Sequence, residues 1–157
     1  MERRAGWWAG NAAEAAARTG EATPEAAARA LTRRTGREGV LVRTGPDGCL
    51  LAGPAAGRDG LVRVPGFPVA AVDTTGAGDT HTGVFLAALA AGADPAAAAR
   101  RANAAAAISV TRPGPATAPT AAELDQFLAQ EPVRNRAQSP LPRWRFCGGR
   151  PGAGRSG

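Results

Sequence analysis

The chain has 157 residues, a length that fits one domain with a single hydrophobic core. It holds no lysine; its 19 basic residues are all arginine, and six of them lie in residues 132–157, which contain no acidic residue. Residues 1–131 therefore balance their remaining arginines against 13 acidic residues, which argues against a dedicated nucleic-acid-binding face. Cys49 and Cys147 lie far apart and belong to no CxxC or Cys/His cluster, so the sequence predicts neither a zinc site nor a disulfide framework.

The beginning of the chain, MERRAGWWAGN, lacks the apolar core of a signal peptide. No apolar run approaches the length of a membrane span. We therefore expect a cytoplasmic protein, and we treat residues 1–10 as an irregular start.

Two Ala-rich helices are predicted next. Residues 11–19 form the first and end at Gly20. The second has Thr23 as its N-cap and Pro24 at its first position, and it should run to about Arg34.

A group of strands follows these helices. The apolar runs 39–44 and 49–52 flank the turn residues GPDG at 45–48, which predicts a hairpin. Two further short strands are predicted at 61–64 and 68–72.

The chain then becomes helical again. Residues 80–91 mix large and small apolar residues and predict a mostly buried helix. Asp94 is an N-cap before a proline and begins a helix over 95–110, while TAAE at 120–123 is a capping box that opens a last helix through Leu128. This order of helices, strands and helices indicates an α/β layered protein.

The stretch DTTGAGDT at 73–80 precedes the predicted helix over 80–91. The first N–H groups of a helix have no internal partner and carry partial positive charge, and glycines let a ligand approach closely. Gly76, Ala77 and Gly78 could therefore hold a phosphate, and Asp79 could accept a proton from an attacking hydroxyl. A Gly-rich turn with Asp79 as a plain N-cap is the alternative, and the pattern alone leaves both open.

At this point the residues resemble a known family. AVDTTGAGDTHTGVFLAALAAG is similar to the C-terminal signature of the PfkB (ribokinase-like) carbohydrate kinases, which runs D-T-x-G-A-G-D. Asn11-Ala-Ala-Glu14 matches the family's N-x-x-E motif, and Thr44-Gly-Pro-Asp-Gly48 matches its T-G-x-x-G turn. Asn103 stands where the family has a residue beside the adenine pocket, and GPATAPTAAELDQFL resembles its closing segment. The resemblance covers roughly residues 10–130.

The resemblance implies a three-layer, ribokinase-like (Rossmann-like) α/β sandwich, truncated to its C-terminal portion, with residues 11–131 as the nucleotide-binding and catalytic part. It implies transfer of the ATP γ-phosphoryl group to an alcohol of a sugar or nucleoside. Asp79 would be the general base, and Gly76, Ala77 and Gly78 would form the anion hole. The other implied sites are nucleotide binding by Thr44, Gly45, Gly48, Thr75 and Asn103, Mg²⁺ binding by Asn11 and Glu14, and a monovalent-cation (K⁺) site at Asp73 with Thr75.

The family is normally about twice this length, so we expect the acceptor pocket and lid to be absent. One alternative is then an ATP/ADP-binding remnant without turnover. Another is that self-association, or a chain carrying the missing N-terminal half, completes the site. Residues 132–157 resemble nothing in the family and are expected to be disordered; a third reading makes them an Arg-rich nucleic-acid-binding tail.

Three aromatic or titratable residues invite functional readings. His81 could be catalytic, but a lone histidine just inside a helix more often packs or makes a local hydrogen bond. Trp7 and Trp8 could form a platform on which a base stacks. They could equally belong to a frayed start, or pack where a strand before Asn11 would lie.

Overall fold

The computed structural model describes residues 6–35, 38–57, 60–115 and 117–130. Their strands are β1 Trp7–Asn11, β2 Gly39–Arg43, β3 Gly48–Ala52 and β4 Leu61–Pro65. Their helices are α1 Ala12–Thr19, α2 Pro24–Thr35, α3 Ala77–Ala90, α4 Pro95–Val110 and α5 Ala121–Gln130, with short 3₁₀ turns at Gly45–Asp47 and Pro54–Ala56. The predicted Arg-rich tail, 132–157, lies outside the described residues.

The four strands form one mixed sheet in the order β1-β2-β3-β4. β1 and β2 are parallel, with Trp7 opposite Gly39 and Asn11 opposite Arg43. Because a parallel pair needs a crossover connection, α1 and α2 fill the chain between these two strands. β2 pairs antiparallel with β3, and β3 with β4, through shorter connections.

Successive side chains of β2 point to opposite faces of the sheet, and each face is covered by helices. Val40 and Val42 pack with residues of α1 and α2, whereas Leu41 packs with Phe85 of α3 and with alanines of α4. All three β2 side chains are fully buried. Helices on both faces of a buried sheet make three layers, as the family resemblance implies.

The second helical layer is built largely from alanine. Ala98, Ala99 and Ala102 of α4 are buried against the sheet, and their small side chains let helix and sheet approach closely. α5 packs on α4 through Leu124 against Ala104 and Ala105. The Phe127 ring of α5 also meets the ring of Phe67, in the loop after β4, edge-to-face at 5.3 Å.

Four predicted helix ends, one each in α1, α2, α4 and α5, are confirmed by their hydrogen bonds. Gly20 is the left-handed C-cap of α1, and the Thr23 hydroxyl accepts the N–H of Ala26 at 3.2 Å. Asp94 caps α4. At the start of α5, Glu123 accepts the N–H of Thr120 at 2.7 Å and returns its own N–H to the Thr120 hydroxyl.

The irregular start predicted for residues 1–10 is wrong from Trp7 onward, because β1 begins there. Trp7 packs its ring edge-to-face against Phe85 at 5.0 Å, and the ring covers Gly39 on β2. Trp8 packs on the other face, with the cluster that includes Ala15. Of the three readings of the Trp pair, packing within a strand before Asn11 is the one the structure supports.

The strand predicted at 68–72 is also wrong. This segment is a loop, and Val72 is 66% exposed. The N–H groups of Val72 and Asp73 donate to the carbonyl of Val110 at the end of α4, at 2.7 and 3.1 Å, instead of pairing with a strand.

The helix predicted over 80–91 begins earlier, at Ala77, and is less buried than expected. Only His81 and Phe85 of α3 are buried, and Leu86 is 49% exposed. Within the described part of the chain, no helix is both long enough and apolar enough to cross a membrane. The cytoplasmic location stays a prediction.

Candidate active site

A cavity of about 400 Å³ lies between the ends of β2 and β3, the start of α3, and α4. Part of its lining is polar and part is apolar. The polar part includes Asn11, Arg43, Thr74, Gly78, His81 and Asn103. The apolar part, called the apolar wall below, includes Phe67, Pro68, Val69, Ala107 and Val110.

The N-terminus of α3 reaches this cavity through Ala77 and Gly78. Gly76 is the N-cap, with a φ of +78° and no side-chain cap. Its positive φ turns the chain into the helix, a conformation that glycine adopts at little cost. The Ala77 N–H already donates to the carbonyl of Thr74 at 3.2 Å, so it would have to leave that bond to join an anion hole.

Asp79 lies in the first turn of α3, and its side chain is exposed. It is not among the residues that line the cavity, and neither is Gly76. No hydrogen bond or ion pair joins the Asp79 carboxylate to another described residue. Its oxygens are therefore available to an incoming hydroxyl.

Asp73 fastens the loop that leads into α3. One carboxylate oxygen accepts the N–H of Thr75 at 2.9 Å and the other accepts the N–H of Gly114 at 3.0 Å. Hydrogen bonds from Thr75 and then Gly114 lower the pKa of Asp73. Asp73 and Thr75 stand outside the cavity lining, so the cation site predicted there stays a prediction.

Asn11 and Glu14, the residues predicted to bind Mg²⁺, form a capping box at the start of α1. The Asn11 side chain accepts the N–H of Glu14 at 2.8 Å, and Glu14 accepts the N–H of Asn11 at 2.7 Å. Asn11 also lines the cavity. Among the described residues no three His, Cys, Asp or Glu side chains cluster as a metal site would require. Mg²⁺ that arrives on a nucleotide needs only one or two carboxylates, so these residues fit a Mg-nucleotide better than a free ion.

The T-G-x-x-G turn joins β2 to β3 beside the cavity. The N–H and the hydroxyl of Thr44 both donate to the carbonyl of Gly48, at 2.8 and 3.0 Å. Gly45 and Gly48 line the cavity, whereas Thr44 is occupied with closing the turn.

Asn103 lines the cavity, but its amide is already committed to protein partners. Its nitrogen donates to the carbonyls of Val64 and Pro65, both at 3.0 Å. Its oxygen is therefore the acceptor for Nε2 of His81, at 2.8 Å, which places the hydrogen of that neutral ring on Nε2. Asn103 thus ties α4 to the end of β4 and to α3, and the packing role expected of His81 is the one observed.

His81 is buried, and its Nδ1 has no hydrogen-bond partner among the described residues. Burial lowers the pKa of His81 from 6.5 to about 4; the Asn103 bond opposes this shift and the charge of Arg43 adds to it. The ring is thus held neutral at physiological pH. Cys49, beside Asn103, is a buried thiol whose pKa burial raises to about 12, which excludes it as a nucleophile.

The free energy of unfolding is expected to fall by about 2 kcal/mol between pH 7 and pH 5 because of His81. The unfolded ring takes up a proton near pH 6.5, whereas the folded ring does so only near pH 4. Its stabilising contribution is therefore complete above pH 6.5 and is lost as the pH falls toward 4. Urea titrations at pH 7, 6 and 5 measure this slope.

The control is His81→Phe, which should flatten the slope whatever its effect on absolute stability. His81 is the only histidine in the chain, so no other side chain titrates ordinarily in this window. A slope that survives in the variant would show that the folded ring is not protected from protonation.

Two parts of the cavity had no counterpart in the sequence predictions. Arg43 reaches it from the end of β2; its only sequence signal is a charge at the end of the apolar run VLV. The apolar wall comes from Phe67, from the adjoining segment 68–72 that was predicted as a strand, and from α4. Gly66 lets this wall form, because a Cβ there would collide with the carbonyl of Pro46.

Comparison with known proteins gives a consistent result. The family model described as "pfkB family carbohydrate kinase" matches residues 4–122. Ribokinase from Bacillus subtilis is 49% identical over 69 residues, which cover 43% of this chain and 24% of that protein.

Two solved structures have the same fold. Ribokinase from Thermotoga maritima is 37% identical with a TM-score of 0.70, over 78% of this chain and 42% of that one. A fructokinase double mutant from Vibrio cholerae, bound to fructose, ADP and potassium ion, is 30% identical with a TM-score of 0.70, over 79% of this chain and 41% of that one. The matched region thus spans less than half of each of these relatives. The predicted ribokinase-like α/β fold is confirmed.

Proposed function

This chain belongs to the pfkB family of carbohydrate kinases, and we propose that it carries the ATP-binding and catalytic part of a kinase acting on an alcohol of a sugar or nucleoside. The observation that carries the proposal is the meeting of the α3 N-terminus with a cavity of about 400 Å³ whose lining also includes an apolar wall. A nucleotide has the matching shape, with a charged phosphate chain at one end and a flat apolar base at the other.

The phosphates are assigned to the α3 end of the cavity. There the N–H groups around Gly78 and the helix dipole favour negative charge. The base is assigned to the apolar wall, between Phe67 and Val110. Asn103 would support this pocket through the β4 carbonyls it holds, because its own amide is already hydrogen-bonded.

Asp79 is assigned as the general base. It stands one residue beyond Gly78, in the first turn of the same helix, and its carboxylate is exposed and unpaired in the described part of the chain. A carboxylate there can take the proton of the acceptor hydroxyl as that oxygen attacks the γ-phosphorus.

Mg²⁺ would enter with ATP, and it would neutralise charge on the phosphate chain. Asn11 lines the cavity and Glu14 is held beside it by the capping box, so these two would meet the ion through its waters. Asp73 and Thr75 would hold a monovalent cation, as the potassium ion bound to the Vibrio fructokinase suggests.

An ATP/ADP-binding protein without turnover is the second candidate. It is favoured by the position of Asp79, which is not among the residues that line the cavity. Under this reading nucleotide stabilises the chain, but no acceptor stimulates ADP release. In a further alternative, self-association or a second chain completes the site, and the chain is then active only in that assembly.

A nucleic-acid-binding tail at 132–157 lies outside the described residues and stays a prediction. It requires binding that weakens steeply with salt and that disappears when these residues are deleted.

The test of the proposal is ADP release from Mg-ATP by the purified chain with a pool of sugars and nucleosides. Thermal stabilisation by ADP is measured in parallel. Acceptor-dependent release supports the kinase. Stabilisation by ADP with no release leaves the nucleotide-binding candidate, and the absence of both rejects the nucleotide site.

A further inference from the structure

We propose that Arg43 is a nucleotide-binding residue of this chain, whose guanidinium adds its positive charge to the phosphate end of the cavity. The inference rests on the proposed function, since it concerns how the same cavity holds a nucleotide. It goes beyond the motifs, because Arg43 belongs to neither the T-G-x-x-G turn nor the Gly-rich stretch.

Arg43 is the last residue of β2, and its side chain crosses from the sheet to the start of α3. Nη1 donates to the carbonyl of Gly78 at 3.2 Å and to the hydroxyl of Thr82. The guanidinium carbon lies 3.5 Å from where a Cβ of Gly78 would stand. Arg43 lines the same cavity as Gly78. The guanidinium therefore sits against the first turn of the helix assigned to the phosphates.

A cation in this position is unfavourable without an anion. The N-terminus of a helix carries partial positive charge, so Arg43 adds a like charge to it. Glu14 is the ion-pair partner of Arg43 among the described residues, but the carboxylate lies 3.9 Å from Nη2, beyond hydrogen-bond distance, and is 54% exposed to solvent that screens its charge. Glu14 is already engaged with the N–H of Asn11.

The guanidinium also has hydrogen-bond donors without an acceptor among the described residues. Only Nη1 has hydrogen-bond acceptors among the described residues; Nη2 and Nε have none there. The side chain is 20% exposed, so it is partly withdrawn from water. A phosphate supplies what is missing, because its negative charge and several oxygens suit the planar fork of an arginine.

The competing explanation is a strut that joins β2 to α3 through Gly78 and Thr82. Such a structural contact shapes the cavity, so its loss would weaken the binding of every ligand to a similar extent. A phosphate-binding residue instead discriminates between ligands with and without phosphate. Adenosine and ADP differ in this respect alone and are therefore the two probes.

The experiment measures dissociation constants of ADP and adenosine by calorimetry for the wild-type chain, R43Q, R43M and R63M. Gln can keep a donor to Gly78 while removing the charge, which guards against unfolding in R43M. Arg63 is the matched control, because it is an arginine on β4 that pairs with Glu25 away from the cavity.

We expect R43Q and R43M to bind ADP about tenfold or more weakly, as for loss of a hydrogen bond to a charged group, and to bind adenosine as the wild type does. R63M should match the wild type for both. Unchanged ADP affinity in R43Q, or equal losses of affinity for ADP and adenosine in the Arg43 variants, would overturn the role of Arg43 but not the proposed function. A wild-type chain that binds no ADP would overturn the proposed function together with this inference.

Discussion

Replacing Asp79 with Asn is expected to lower kcat by about a hundredfold or more while leaving ADP binding nearly unchanged. The amide keeps the size and polarity of the carboxylate, but it cannot accept the proton of the acceptor hydroxyl. The exposed position of Asp79 means that the substitution disturbs little packing. Initial rates of ADP release at saturating Mg-ATP and acceptor measure the effect.

Asp125→Asn is the matched control, since it removes an exposed helical carboxylate on α5 that pairs with Arg101, outside the cavity lining. Its rates should equal those of the wild-type chain. A kcat within a few fold of wild type in the Asp79 variant would contradict the general-base assignment. It would return Asp79 to the structural reading, in which the carboxylate only favours the positive end of α3.

Replacing Gly48 with Ala is expected to lower the free energy of unfolding by about 3 kcal/mol or more. Gly48 has a φ of +98°, and its added Cβ would collide with backbone atoms of Val64 on the neighbouring strand β4 and of Gly66 just after that strand. Backbone cannot rotate away as a side chain can, so β3 and β4 would have to separate. Equilibrium unfolding in urea measures the loss.

Gly45→Ala is the control in the same turn. Gly45 also has a positive φ, +68°, but no atom lies within 4 Å of the added Cβ. It should cost about 1 kcal/mol, the strain of the backbone conformation alone. Equal losses in the two variants would show that conformation, and not the approach of the two strands, makes glycine necessary at Gly48.

The motifs located much of the candidate site because each is a local structure. The Gly-rich stretch becomes the start of α3, and Ala77 and Gly78 do reach the cavity. Asn11 and Glu14 stand three residues apart and bond to each other before any tertiary contact is needed. This local capping box explains the N-x-x-E spacing by itself, so the metal role of the pair needs its own test.

The same local reading could not assign roles that depend on distant partners. Asn103 was expected beside the adenine base of the nucleotide, and it does line the cavity. Its amide is nevertheless taken by Val64 and Pro65, 39 and 38 residues earlier in the chain. The commitment follows from how α4 packs on β4, and no spacing within the helix predicts it.

The sequence by itself determined the capped ends of α1, α2, α4 and α5, the hairpin between β2 and β3, and the layered α/β class. These depend on bonds between residues three or four positions apart, or on the alternation of apolar side chains along a strand. Only the tertiary structure decided that Trp7 begins a strand, that 68–72 is a loop, and that Arg43 meets Gly78 across 35 residues. In each case the outcome depends on which distant segment offers a partner for a backbone N–H or a charged side chain, and that is settled when the layers pack together.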